Sequence, residues 1–221
     1  MFLAVAGMVV SAPGIYADNI SVGDLITLQD GPGGWPGGEF QVYKGGTKQF
    51  DTFCIEGGEY FTTGIPFKVV GISEYAVLGG EPFPGDKLES GTAYLYHNFR
   101  YGILSNYVYN GAGRETSATQ LQIAIWAFEN EEGYTVNNVP AGSQAATWIT
   151  EAQNAVGNHV WVGLGDVRAL NLEWNENWGG FTKGQRAQDQ LTLVPEPGIL
   201  ILLGIALSAV GLAARRYRLI P

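Results

Sequence analysis

The chain is poor in cysteine, in positive charge and in ionisable side chains generally. A single cysteine, Cys54, stands among 221 residues, so no disulfide forms within the chain and no cysteine-rich metal framework exists. Charged residues make up 15% of the sequence, well below the usual quarter. Lys and Arg number 12 against 21 Asp and Glu, a formal net charge of −9. Three of those cations, Arg215, Arg216 and Arg218, fall in the last seven positions, leaving nine basic residues against all 21 acidic ones before them. That field repels phosphate backbones and argues against nucleic acid as a partner. The two histidines, His97 and His159, are isolated in sequence and are read as structural. No serine elbow, phosphate-cradling loop or Cys/His cluster is present, so neither an enzyme nor a metal or cofactor site is expected. The scattered carboxylates nominate no glycosidase pair, and Glu129, Glu131 and Glu132 read as a solvated helix end.

What is abundant is glycine (32), tyrosine (11) and tryptophan (6), a composition suited to an exported β-rich protein. The two ends agree. Residues 1–17 are apolar and close on Ile15-Tyr16-Ala17, like the apolar region and cleavage site of a signal peptide, with cleavage expected near Ala17–Asp18. The segment has no positive charge at its start, so the true start is expected upstream. At the other end, Gly198 to Ala214 holds no charge, about the shortest stretch that spans a bilayer as a helix. Arg215, Arg216 and Arg218 follow, which places the C-terminus in the cytoplasm and the preceding chain outside. Pro195 and Pro197 cannot extend that helix backwards, so an extended, accessible segment precedes it.

The run Val194-Pro195-Glu196-Pro197, the apolar segment 198–214 and the Arg215-Arg216 stop resemble the PEP-CTERM sorting signal of exopolysaccharide-producing bacteria. The resemblance covers residues 194–221 and implies exosortase as the sorting partner. It further implies an inner-membrane stage, then the cell surface or an extracellular, biofilm-type matrix. It supplies an address, with no activity attached.

Between the ends, residues 18–193 read as one extracytoplasmic domain. Short segments rich in β-branched and aromatic residues predict strands at 24–28, 39–43, 49–55 and 67–72, and again at 160–162, 166–172 and 190–194. Apolar residues at helical spacing predict helices over 88–104, 117–130 and 143–156. The first carries Ala93, Tyr96, Phe99 and Ile103 on one face, and Ser117 with Gln120 forms a capping box at the start of the second. Strands, helices, then strands point to an α+β class: a β-sandwich or partial β-barrel with an inserted helical subdomain, plus a C-terminal transmembrane helix.

One pair of segments stands apart. Cys54 sits in Thr52-Phe53-Cys54-Ile55-Glu56, and Gln122 in Leu121-Gln122-Ile123-Ala124-Ile125-Trp126. Both resemble the motifs of thioester domains in bacterial surface adhesins: aromatic-Cys-aliphatic, then apolar-Gln-x-x-apolar-Trp. The resemblance spans roughly residues 50–130. It implies an internal Cys54–Gln122 thioester that an amine-bearing partner opens, leaving an amide cross-link. Phe53, Ile55, Ile125 and Trp126 are residues that can build a dry shell for such a bond, and Trp126 lies one helical turn after Gln122. Gln120 lacks that offset to Trp126 and is assigned to the cap. Read singly, Cys54 is a small buried hydrophobe and Gln122 a surface residue. The alternative to a covalent adhesin or matrix cross-linker is a non-covalent, carbohydrate-binding β-rich module that uses its aromatic side chains. An envelope hydrolase is the weakest reading, since no residue is nominated for it.

Overall fold

A computed structural model describes residues 17–77 and 84–195. The expected signal segment before Ala17 lies outside these residues. So do Glu196, Pro197, the span expected at 198–214, and Arg215-Arg216. Among the described residues no helix is long and apolar enough to cross a membrane.

The fold is α+β. Four strands come first: β1 (Leu25–Gly34), β2 (Gly37–Lys44), β3 (Thr47–Thr52) and β4 (Pro66–Ser73). A two-stranded ribbon follows, β5 (Tyr75–Ala76) with β6 (Asp86–Lys87). Three helices are then inserted, α1 (Ser90–Arg100), α2 (Arg114–Glu129) and α3 (Gln144–Gly157). The chain returns to the sheet with β7 (Val167–Trp174) and β8 (Arg186–Leu193). Sheet order is β3-β2-β1-β4-β7-β8, each pair antiparallel. The two edge strands then approach each other, because Cys54, just past β3, bridges Gln190 of β8.

That approach creates two apolar cores, one on each face of the curved sheet. The inner one is built mainly from strand residues, among them Ile26, Leu28, Val42, Phe67, Leu172 and Trp174, and no helix contributes to it. The outer one packs the helices on the sheet through Phe53, Leu95, Tyr96, Leu121, Trp148 and Leu191. Strand β7 shows the period-two logic: Val167 and Ala169 face the helices, while Leu170, Leu172 and Trp174 face inward. Arg168, Asn171 and Glu173 interrupt its apolar residues, and the alternation of Leu170, Leu172 and Trp174 with polar neighbours made the strand conspicuous in the sequence.

Four local expectations are corrected. Helix α2 begins at Arg114, a turn before Ser117, because Arg114 forms a bidentate pair with the buried Glu39 of β2 at 3.0 and 2.6 Å. Ser117 is therefore inside the helix, accepting from the Val108 N–H, and Gln120 instead accepts the Ala145 N–H at the start of α3. Glu129 is buried and accepts the Glu89 N–H, so it is no solvated helix end. Helix α1 stops at Arg100, leaving Ile103 outside it and 64% exposed. Val160 to Val162 form no strand: the Val160 and Trp161 N–H groups turn back onto the Ala155 carbonyl, finishing α3.

Candidate functional site

Cys54 sits where the chain leaves β3 and crosses to β8. Its neighbours make the ladder bonds: Leu191 N–H donates to the Phe53 carbonyl (3.1 Å) and Ile55 N–H to the Asp189 carbonyl (3.2 Å). In an antiparallel pair the residue between such bonds turns its own N–H and C=O away from the partner strand. Those two groups of Cys54 are buried and need partners. Gln122 supplies both. Its Oε1 accepts the Cys54 N–H at 3.1 Å and its Nε2 donates to the Cys54 carbonyl at 2.8 Å. The carboxamide thus imitates the next strand of the sheet. Gln122 is fully buried and Cys54 is 3% exposed.

Several contacts fix α2 in this position. The Arg114–Glu39 pair ties its first turn to β2, and Tyr107 donates to the same carboxylate at 2.5 Å. The glycine-rich β1–β2 hairpin lies over the next turn, with Gly34 N–H donating to Thr119 Oγ1 at 2.9 Å. Gly37 packs so closely that an added Cβ would stand 2.9 Å from Gln122 Cγ and 3.0 Å from the Trp126 ring. Trp126 is therefore beside Gln122 under the hairpin, and it stacks on Tyr134. Phe53 and Ile125 are fully buried in the helix–sheet core, with Ile55 alongside.

The thiol points to side chains that the sequence did not nominate. Cys54 Sγ lies 3.1 Å from Gln188 Oε1, to which it donates, and Gln190 Nε2 donates to Sγ at 3.4 Å. Gln188 is itself held by donating from Nε2 to the Glu56 carbonyl. Burial pushes the thiol up to about 12, with the Gln190 hydrogen bond opposing, so Cys54 is a neutral thiol. Carboxyl groups gather nearby. Burial raises both Glu56 and Glu59; the neighbouring Glu59, Asp189 and Glu131 push Glu56 further up, whereas the hydrogen bond with Glu56 opposes the rise of Glu59. Asp189 rises to about 6 through burial, opposed by N–H groups from Val77, Asn171 and Leu172. The available signal for the thiol's partners was two glutamines at strand spacing, Gln188 and Gln190, in an otherwise buried strand. Their significance depended on knowing that β8 runs beside Cys54.

The arrangement joins a soft nucleophile and an amide carbonyl compound in a water-poor site. No histidine takes part. His97 pairs instead with Asp166 at 2.7 Å and stacks on Tyr101.

Comparison with known proteins bears on the end of the chain. Residues 193–218 match the PEP-CTERM protein-sorting motif. No curated protein and no solved structure matches the chain. The match begins on the last residue of β8, and Pro195, the first proline of the motif, is exposed. The chain is thus an exported protein that carries a PEP-CTERM sorting motif, addressed to exosortase through a membrane-anchored stage on the way to the cell surface.

Proposed function

We propose that the domain closes an internal thioester between Cys54 and Gln122 and uses it once, to attach covalently to an amine on a surface or matrix partner. The observation that supports this most is the two-point pairing of the Gln122 carboxamide with the Cys54 backbone, wholly out of solvent. An amide is a poor electrophile, and attack on it becomes feasible when the groups are held together and water is kept away. In the step, Sγ attacks Gln122 Cδ, the C–N bond breaks, and the thiol proton leaves with the nitrogen as ammonia. A partner amine then attacks the thioester carbonyl, forming an amide and returning the Cys54 thiol. The reaction is stoichiometric, so the protein is an adhesin or cross-linker and no enzyme. In this reading the sheet is a partial barrel carrying the helical insert, and the apolar segment 198–214 anchors the protein while it is sorted.

Intact mass tests the reading. The mature protein should be lighter than its sequence by one ammonia, and methylamine should add to Gln122, leaving the protein one methylene heavier than its sequence. Cys54→Ala and Gln122→Ala should each remove the deficit, while Gln188→Ala should keep it. Full mass with a Cys54 that alkylates on unfolding would refute it.

A non-covalent carbohydrate-binding reading draws on Trp35, which is 95% exposed at the tip of the glycine-rich hairpin, and on Tyr60, 71% exposed. Exposed aromatic rings suit stacking on sugars. Glycan binding lost on Trp35→Ala and untouched by Cys54→Ala would select it.

A further inference from the structure

The two ends of the domain meet at one place. The Asp18 carboxylate accepts from the Leu193 N–H at 2.8 Å, Thr192 Oγ1 at 2.9 Å and both terminal nitrogens of Arg100 at 3.0 and 2.6 Å. Asp18 N–H donates back to the Leu193 carbonyl, and Val194 N–H donates to the Asp166 carbonyl at 2.8 Å. The chain is therefore held by the fold up to Val194, and Pro195 follows directly. Only Glu196 and Pro197 separate Pro195 from the uncharged segment that begins at Gly198. Three residue steps reach at most ~11 Å. A protein anchored through that segment has this end of the domain within side-chain reach of the bilayer surface.

The loops at this end are unlike the rest of the surface. The loop leading into Asp166 exposes Val160 (79%) and Val162 (74%). Between them Trp161 packs on His97 and Tyr94, and His97 pairs with Asp166. Tyr101 donates to the same Asp166 carboxylate, and two residues later Ile103 is 64% exposed. Residues 101–113 and 152–165 contain no Asp, Glu, Lys or Arg, in a chain of net charge −9. Two carboxylates lie at the patch among the described residues: Asp166, 3% exposed and engaged by His97 and Tyr101, and the half-buried Glu151, which accepts from Tyr94 and Ser105. Both carboxylates at the patch already accept hydrogen bonds from the protein, so bringing the surface to lipid leaves neither without a partner, and Val, Ile and Trp are side chains that favour the interfacial region.

We propose that the face formed by Val160, Trp161, Val162 and Ile103 rests on the outer surface of the membrane during the anchored stage, docking the domain against lipid and orienting the sorting motif. The opposite end of β7 and β8 carries the connection that includes Lys183, which is exposed and faces away from the bilayer.

Accessibility measurements on the full chain in nanodiscs of phosphatidylethanolamine and phosphatidylglycerol test this. A nitroxide is placed on Val162→Cys or on Lys183→Cys, labelled without denaturant so that Cys54, 3% exposed, stays unmodified. The ratio of oxygen to water-soluble nickel accessibility should be several-fold higher at 162 than at 183. Adding Val160→Asp should lower the ratio at 162 to that at 183, with Cys54 still protected as the check on folding. Equal ratios at the two positions in lipid alone overturn the proposal. So does a rise at 162 that occurs only when exosortase is added, which would assign the face to a protein partner.

Discussion

Removing Gln122 separates two contributions of one side chain. In a Cys54→Ala background no thioester can form, but the backbone N–H and C=O of residue 54 still face Gln122. Gln122→Ala then leaves both buried groups without a partner, at about 1–3 kcal/mol each, or about 2–6 kcal/mol together. The cross-link itself is a different quantity. Cys54 and Gln122 are 68 residues apart in sequence, and closing a loop of that length constrains the unfolded chain by ~4 kcal/mol. Cys54→Ala alone should therefore lower stability by ~4 kcal/mol if the thioester is present. Without it, the loss should be ~1–2 kcal/mol, for a small buried group. Urea unfolding followed by tryptophan fluorescence reads both steps. A loss below ~1 kcal/mol on adding Gln122→Ala would refute the pairing as a structural element, since no orphaned buried peptide group costs so little.

Other consequences follow from the same geometry. Burial pushes Glu129 up to about 8 from an ordinary 4.5, and Asp189 to about 6. Both folded values lie above the unfolded ones, so their contribution is fully present at acidic pH and is lost as pH rises through 6 and then 8. Urea midpoints should therefore fall between pH 5 and 8.5 from these groups, roughly, and Glu129→Gln should flatten the upper part of that decline. Arg100→Ala should cost about 3–5 kcal/mol in urea titrations, because it strands the buried Asp18 carboxylate; a loss under ~1 kcal/mol would place Asp18 in water. Gly37→Ala should cost about 1–3 kcal/mol and shift tryptophan emission, because the new methyl overlaps Gln122 and Trp126. Unchanged emission and stability would show that the hairpin does not press on them.

Local signals in the sequence were strong where one element's own pattern sufficed. The apolar spacing of Leu121 and Ile125 marked a helix because both residues meet the same core. Strand β7 was visible because Leu170, Leu172 and Trp174 alternate with polar residues toward one core. Element ends were less legible. Ser117 and Gln120 have the spacing of a capping box, yet the Arg114–Glu39 pair draws the helix start a turn earlier. That pair joins residues 75 apart in sequence, so no local window contains it. Val160 to Val162 resemble a strand, and what denies them that state is that the Val160 and Trp161 N–H groups are taken by the Ala155 carbonyl at the end of α3.

The sequence by itself determined the export address, the α+β order of elements and the two residues, Cys54 and Gln122, worth bringing together. Sorting signals and periodicity are properties of contiguous chain, so they survive without a fold. Tertiary structure alone decided that the Gln122 carboxamide pairs with the Cys54 backbone, and that Gln188 and Gln190 hold its thiol. It also set the exposed Val160 and Val162 loop beside the strand end from which the sorting motif departs. Each of these depends on which strand lies beside which, and on how a curved sheet brings its two edges together, and that is settled by packing across the whole chain.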